Sequence, residues 1–389
     1  MIIGSKELIR DINNNLVLET IIDKNPISRA ALSKELGLTK ATISTIVQDL
    51  IEKQLVIEIG SDNTDLGRKP ILLTYNKQAG QALCIDIQPD FCNTMLSNLQ
   101  ADILRQDCIV TPPNPEALPG VLIEYVRELL PTLTPSFYGL VGITLSVHGV
   151  TYDNEVKFAP YYDLSGIPLA NQMEEQLGIP TYLENEANLS ALGESSMVHA
   201  NSNLASISIH SGIGLGLIMN NHLVKGYKGY AGEVGHTIIN VDGRACPCGN
   251  HGCLEQYVSE KALLREFASK KGLENVSFEE FAEAYKNKDK VAYEIVDLFV
   301  KYMSVGLNNI LNSYNPEIII INSSFTSCYP HLTEEIIKKL SSKMNNYGSI
   351  LPSSLQGKSS LIGGLCVSIK NFLGIKYLKM HNIFSSENI

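Results

Sequence analysis

Several things are missing from this chain of 389 residues. No apolar run reaches about 18 residues, the length a membrane-spanning helix requires, so no segment is expected to cross a membrane. The first residues, MIIGSKELIRDINNN, are too polar for a secretory signal. A cytoplasmic location is therefore expected. Positive charge is scarce: 31 Lys and Arg stand against 41 Asp and Glu, a net charge of −10. That balance excludes a protein that holds nucleic acid over its whole surface, but it leaves room for a local basic element. Low-complexity segments are absent as well. Apolar residues make up 44% and charged residues 19%, the composition of a globular chain with a real core, and the length allows two or three domains.

Eight cysteines are present. In a reducing compartment they read as free thiols or metal ligands rather than disulfides. Cys84, Cys92, Cys108, Cys328 and Cys366 are scattered in apolar surroundings and are expected to be small buried hydrophobes. The other three fall together in GRACPCGNHGCLEQY, from Gly243 to Tyr257, with two glycines and His251 among them and Glu255 after the last. This stretch reads as part of a metal site whose remaining ligand lies elsewhere. Its spacing alone does not separate a chemical, a DNA-reading and a loop-holding role.

The first 77 residues have helical apolar spacing in three pieces. The first covers roughly Lys6 to Asp23, with Leu8, Ile12, Leu16 and Thr20 near one face. Pro26 interrupts the chain, and Ser28 is a good N-cap for a second helix, Arg29 to Leu36, with Ala31, Leu32 and Leu36 inward. Gly37 sits where a tight turn needs positive φ. Thr39 then caps a third helix, in which Ile43, Ile46, Val47 and Leu50 repeat at i, i+3, i+4, i+7. Helix, short glycine turn, helix is the helix-turn-helix plan. The outward face of the third helix carries Lys40, Ala41, Thr42, Ser44, Thr45 and Gln48. Small or short polar residues of this kind suit a major groove, where bulky acids would repel phosphate. VIEIG and KPILLTYN follow as a β-hairpin wing, with Arg68 and Lys69 at its base placed to reach phosphates or the minor groove. Charges in this segment nearly cancel, so tight binding would need two copies on two half-sites.

Beyond Tyr75 the pattern becomes α/β. QALCIDIQ, FCNTMLSNL, LVGITLSVHGV and IPTYLEN are strand candidates, and PGVLIEYVRELLPTL and LANQMEEQLG are helices. A second block follows: strands LASISIHSG and GLGLIMNN, the loop VKGYKGYAGEVGH, the cysteine segment, a helical stretch from Ser259 to Ser313, and the apolar strand PEIIIINSS. The similar order of elements suggests two related lobes, and a cleft between such lobes is the default place for a small ligand.

From about Gln81 to Lys370 the chain resembles the ROK family of repressors and sugar kinases. The matching stretches are GRKPILLTYNKQAG, PTYLENEANLSALGE, GYAGEVGH, CPCGNHGCLEQY and SLIGGL. With a helix-turn-helix in front, it is most similar to the regulator branch, the xylose-operon repressors and NagC-like regulators. The resemblance implies an N-terminal winged helix-turn-helix joined to a two-lobed actin-like (ribonuclease H-like) sugar-kinase fold. Expected domains are residues 1–77, a first lobe at 78–183 completed by a C-terminal helix at about 365–389, and a second lobe at 184–364. It also supplies the missing ligand, placing one structural Zn2+ per chain on His236, Cys246, Cys248 and Cys253. Cys-Pro-Cys forces two thiolates onto one turn, and Gly249 and Gly252 let the loop fold back so that Cys253 reaches the same ion. Four protein ligands leave no position for a catalytic water. His251 is a possible competitor, read as a solvated loop residue. By the same resemblance Glu233, His236 and Glu255, with Asn185 and Glu186, contact sugar hydroxyls, and Gly149 closes over the sugar, with His148 beside it a weaker candidate.

Several departures from the family's kinases bear on activity. Their phosphate loop, Asp-Ile-Gly-Gly-Thr, is here DIQPD, Asp86 to Asp90. Their later glycine run is INSSF, Ile321 to Phe325. Glu186 replaces the Asp at the base position, moving the carboxylate by about an ångström, a misplacement that can cost about 100-fold. HSGIGLGL keeps Gly212, Gly214 and Gly216, which a tight turn explains as well as a phosphate does. In FAPYYDL, Tyr161 stands where relatives often have Asn, which leaves the identity of the sugar open. The expectation is a non-catalytic, sugar-responsive repressor of carbohydrate genes, xylose or a related sugar being the effector. It would bind operator DNA as a homodimer or homotetramer. The alternatives are an ATP-dependent sugar kinase and a regulator governed by a protein partner.

Overall fold

The computed structural model describes residues 6–61 and 71–380. Two compact units emerge: Met1–Glu184 with Ser195–Ala200 and Leu361–Ile389, and Asn185–Glu194 with Asn201–Ser360.

The first unit opens with α1 (Lys6–Asp23), β1 (Ile27–Ser28), α2 (Arg29–Leu36), α3 (Lys40–Glu52), β2 (Val56–Ser61) and β3 (Ile71–Tyr75). Ser28 Oγ accepts from Ala31 N, and Thr39 Oγ1 from Thr42 N, so each helix of the pair is capped as its sequence predicts. Gly37 closes α2 at φ 65, a conformation that costs other residues energy. Strands β2 and β3 pair antiparallel as the wing, and β1 adds a third strand. Ile43, Ile46, Val47 and Leu50 are buried as expected. Two expectations fail. In α1 the stripe of Leu8, Ile12 and Leu16 is exposed, and Val17, Leu18, Ile21 and Ile22 are buried instead. The apolar spacing fits both faces, and packing on α2, α3 and β3 decides which is buried. In α2, Leu32 alone is buried; Ala31 is exposed and Leu36 half-buried.

Next come β4 (Gln81–Ile87), β5 (Phe91–Asn98), β6 (Ile103–Val110), α4 (Leu118–Leu129), β7 (Leu140–Val147), β8 (Val150–Tyr152), β9 (Glu155–Phe158), α5 (Leu169–Leu177) and β10 (Thr181–Asn185); α6 (Glu186–Met197) follows, most of it in the second unit. The sheet order is β10-β7-β4-β5-β6, with β4–β5 and β5–β6 antiparallel and β4–β7 parallel. Leu83, Ile85, Ile143 and Leu145 pack against Leu122 and Val126 of α4 and Met173 of α5.

The second unit holds β11 (Leu204–Ile209), β12 (Ile213–Met219), β13 (His222–Leu223), α7 (Glu255–Val258), α8 (Glu260–Lys271), α9 (Phe278–Lys286), α10 (Lys290–Tyr314), β14 (Ile318–Ser323), α11 (Ser324–Cys328), α12 (His331–Lys338) and β15 (Ser349–Pro352). The sheet order β13-β12-β11-β14-β15 repeats that of the first unit: an antiparallel meander followed by parallel strands. In α10, Ile295, Val296, Phe299, Met303, Leu307, Ile310 and Leu311 form the inward stripe. Each such side chain contributes about 1.5–3 kcal/mol by burial, an upper estimate.

The last helix is α13 (Ser359–Leu373); of the expected range of about 365–389, residues 381–389 lie outside the described residues. Its Ser368 Oγ lies 2.8 Å from Thr144 Oγ1 on β7. Residues 374–377 run beside α1: Asn15 Nδ2 donates to Gly374 O at 2.7 Å, and Lys376 N and Tyr377 N donate to Glu19 Oε1 at 2.7 and 3.1 Å. Tyr138 meets Phe372 edge-on at 4.8 Å and donates its hydroxyl to Lys53 O, at the C-cap of α3. Cys84, Cys92 and Cys366 are buried, but Cys108 and Cys328 are exposed. Cys108 lies on the edge strand β6 and Cys328 at the end of α11, so neither is covered. Among the described residues no helix is long and apolar enough to cross a membrane.

Candidate metal centre, sugar site and DNA-reading face

In the second unit the chain between β12 and α7 folds around four side chains. His236, Cys246, Cys248 and Cys253 bring their ligand atoms within 4.8 Å of one another. Cys246 Sγ lies 3.6 Å from His236 Nδ1, and Cys248 Sγ 3.7 Å from Cys253 Sγ. With metal–sulfur bonds of about 2.3 Å, a tetrahedron has edges of about 3.8 Å between sulfurs and slightly less to a nitrogen. The donor set therefore fits one tetrahedral dication. The thiols need that charge. Burial, then the neighbouring thiols, push Cys253 up to about 12, and burial raises Cys246, whereas backbone and thiol hydrogen bonds, outweighing burial, lower Cys248. His251 is exposed and outside the group.

The loop is held by its own backbone. Cys246 N donates to Asn250 O, Gly249 N to Cys246 O and Gly252 N to Arg244 O, at 2.8, 3.0 and 2.7 Å. Gly252, at φ +74, abuts the carbonyl of Asn240 so closely that a Cβ has no room. Arg244 fastens the loop to the helices behind it. Its guanidinium donates to Gln256 O at 2.7 Å and Glu266 Oε2 at 2.6 Å and lies over the Tyr257 ring.

The carboxylates sit beside this centre. His236 turns Nε2 toward Glu233 Oε2, 3.9 Å away, while Nδ1 faces the thiols. Burial raises Glu233, with His236 opposing and Glu255 adding to the rise. Glu255 is buried at the start of α7, and its Oε2 accepts from Ile213 N at 3.2 Å. Asn185 Oδ1 accepts from Asn188 N, capping α6. Glu186, also buried, accepts from Ser208 Oγ at 2.9 Å and lies 3.9 Å from His210 Nε2. Thus Glu233, His236 and Glu255 are brought together with the metal ligands. Asn185 and Glu186 stand at the head of α6, the helix that crosses the glycine-rich strand β12. There Gly214 and Gly216 lie against Ala187, and a Cβ on either would collide with it. Close helix–strand approach thus accounts for two of the three glycines in HSGIGLGL.

Gly149 is in the first unit, where Phe158 O and Ala159 leave no space for a Cβ. His148 Nε2 lies 3.3 Å from Asp86 Oδ1. His148 and Tyr161 share the lining of a small space with Pro89, Val147, Ala159 and Tyr162. Sequence reasoning missed His210 and Gln256; only their adjacency to recognised motifs could have drawn attention to them.

On α3, Lys40, Ala41, Ser44, Thr45 and Gln48 are exposed and Thr42 half-buried. Thr42 Oγ1 is 2.9 Å from Thr39 Oγ1, and Gln48 Nε2 donates to Glu52. The acids of the helix, Asp49 and Glu52, fall in its last turn. Arg68 and Lys69 lie outside the described residues.

A winged helix-turn-helix followed by a duplicated α/β fold with a Cys3His loop defines a class: regulators built on a sugar-kinase scaffold. The sequence matches the ROK family over residues 82–370 and the winged helix-turn-helix DNA-binding family over residues 10–57. The chain belongs to the ROK family. It is 35% identical over 383 residues to the xylose repressor of Bacillus spizizenii, covering 96% of this chain and 99% of that one. The structure is similar to that of a ROK family transcriptional regulator, a homologue of the E. coli MLC protein, with TM-score 0.78, 25% identity and coverage of 94% and 96%. A ROK glucokinase from Streptomyces griseus, solved with glucose and AMPPNP, shares the fold at TM-score 0.66 and 24% identity, over 74% of this chain and 99% of its own.

Proposed function

We propose that the protein is a sugar-responsive, DNA-binding transcriptional repressor, with D-xylose or a related sugar as effector. The observation that carries this reading is the presence on one chain of an exposed, acid-poor face on α3 and a cluster of Glu233, His236 and Glu255 anchored on a four-ligand metal loop. The metal is a structural zinc. When bound it neutralises the thiolates and fixes His236, whose Nε2–H then points to Glu233 and the sugar. Glu233, Glu255, Asn185 and Glu186 accept hydrogen bonds from vicinal hydroxyls, which are held in fixed geometry on a pyranose. Two copies read two operator half-sites through α3, with Arg68 and Lys69 of the wing on the backbone. Sugar changes operator affinity only through its differential affinity for two states of the protein.

The protein acts without phosphoryl transfer. Asp86 is held by Ser146, Gln88 and His148, and the turn after it bonds Gln88 N to Phe91 O, next to a proline without an N–H. Such a turn offers no cradle of amides to a phosphate. After β14, Phe325 packs among Phe278, Phe281 and Phe299, and the space there holds no volume for even a water. A thermal-shift screen of sugars, followed by operator gel shifts with and without the hit, tests the reading. ATP-dependent sugar phosphate formation that vanishes in Glu186→Ala would overturn the non-catalytic part.

A further inference from the structure

We propose that Gln256 is a positioning residue that joins the metal loop to the sugar-binding carboxylate Glu255 through one side-chain amide; this rests on the sugar-site reading above. Gln256 is buried on α7, and its Nε2 lies 3.6 Å from Cys246 Sγ and 3.5 Å from Glu255 Oε1. Its Oε1 accepts from Arg265 Nη2 at 3.2 Å. A guanidinium has only donors, so it fixes which end of the amide faces it. The NH2 end must then face the thiolate and the carboxylate, both acceptors, and its two hydrogens serve one each.

Two consequences follow from this placement. The thiolate of Cys246 receives a hydrogen bond from outside the metal's ligand set, which lowers the energy of its lone pairs. The carboxylate of Glu255 is fixed at both oxygens, Oε1 by Gln256 and Oε2 by Ile213 N. Each oxygen keeps one lone pair, and those two lone pairs have a set direction toward a sugar. Order in the metal loop is thereby transmitted to the sugar site along a second path, separate from the one through His236 and Glu233. Arg244, which also binds Gln256 O, clamps the same residue from the backbone side.

The test uses the full-length protein loaded with Co2+, with D-xylose as probe. Gln256→Met keeps the length of the side chain and removes both donors. Its cobalt–thiolate charge-transfer band should move to longer wavelength with one cobalt still bound per chain. Its dissociation constant for xylose should rise about tenfold, the scale of a hydrogen bond to a charged group. Arg265→Met, a change at an exposed residue, frees the amide to turn and should move both quantities the same way by a smaller factor. Glu255→Ala is the reference for the site itself. If it abolishes xylose binding while Gln256→Met and Arg265→Met match the wild type in band and affinity, the bridge is refuted and the site stands. If Glu255→Ala binds xylose like the wild type, or the wild type ignores xylose, the site reading fails; an unshifted band then refutes the thiolate half as well. Should Gln256→Met not fold, Arg265→Met decides alone.

Discussion

Gly252→Ala tests the account of the metal loop most directly. At φ +74 an alanine costs about 1–2 kcal/mol in backbone conformation alone. Its Cβ would also collide with Asn240 O, so the chain must move. Movement gives up the bonds from Gly252 N to Arg244 O, 2.7 Å, and from Ile239 N and Asn240 N to Gly252 O, 2.9 and 3.3 Å. At about 1 kcal/mol for each bond, the total is about 4–5 kcal/mol. Since the ordered loop and the bound metal are one equilibrium, metal affinity should fall about a thousandfold. Gly249→Ala is the internal control: φ is +96, but nothing lies within 4 Å of its Cβ. Only the backbone term applies, and about tenfold is expected. Competition with a chromophoric zinc chelator measures both. Gly252→Ala within about threefold of wild type, or no weaker than Gly249→Ala, would refute the reasoning.

Three further outcomes are expected. Ser44→Glu places a carboxylate on the exposed face of α3 and should weaken operator binding by at least about tenfold in gel shifts at fixed salt, with the sugar-induced thermal shift unchanged; equal operator affinity would contradict the placement of α3. Burial alone would raise the Asp86 carboxyl, but the charge and hydrogen bond of His148 and the donors Gln88 and Ser146 outweigh it and hold it below its ordinary value. Its stabilisation is therefore present above the unfolded carboxyl value, about 3.9, and is lost as pH falls through the lower folded value; the Tm advantage over Asp86→Asn should shrink on acidification, and a growing advantage would reverse the sign. Phe325→Ala should destabilise by about 3–5 kcal/mol in denaturant unfolding without creating ATP binding in calorimetry; ATP binding by that variant would show that the aromatic plug is all that separates this chain from a nucleotide site.

The capped helices of the head were legible because Ser28, Gly37 and Thr39 act through their own backbone neighbours. The strands β4, β7, β11 and β14 were legible because they are buried on both faces and so mostly apolar or small, with few charged residues. The face that α1 buries was not, since Leu8–Ile12–Leu16 and Val17–Leu18–Ile21 both satisfy a helical period and only the neighbours choose. Strand β6, with Leu104, Arg105 and Gln106 exposed and Asp107 half-buried, gave no clear apolar signal because it is an edge. Of the candidate site, the thiols and His236 were readable from motif and family likeness. The proximity of Gln256 to Glu255 and Cys246, and of His210 to Glu186, was not, because it depends on side chains that the fold brings together.

The contacts of residues 374–377 with α1, and of Tyr138 with the end of α3, bear on how this regulator could be rebuilt. Contacts cross the expected boundary at residue 77. A graft of the first 77 residues onto another effector domain would leave Glu19 and Asn15 facing water and the Lys53 carbonyl without its tyrosine. Such a chimera would carry its helix-turn-helix on a head that lacks these anchors. A graft that carries the tail and a matching tyrosine along should keep them. The exchangeable module is thus a discontinuous one, assembled from the head, Tyr138 and residues 374–377.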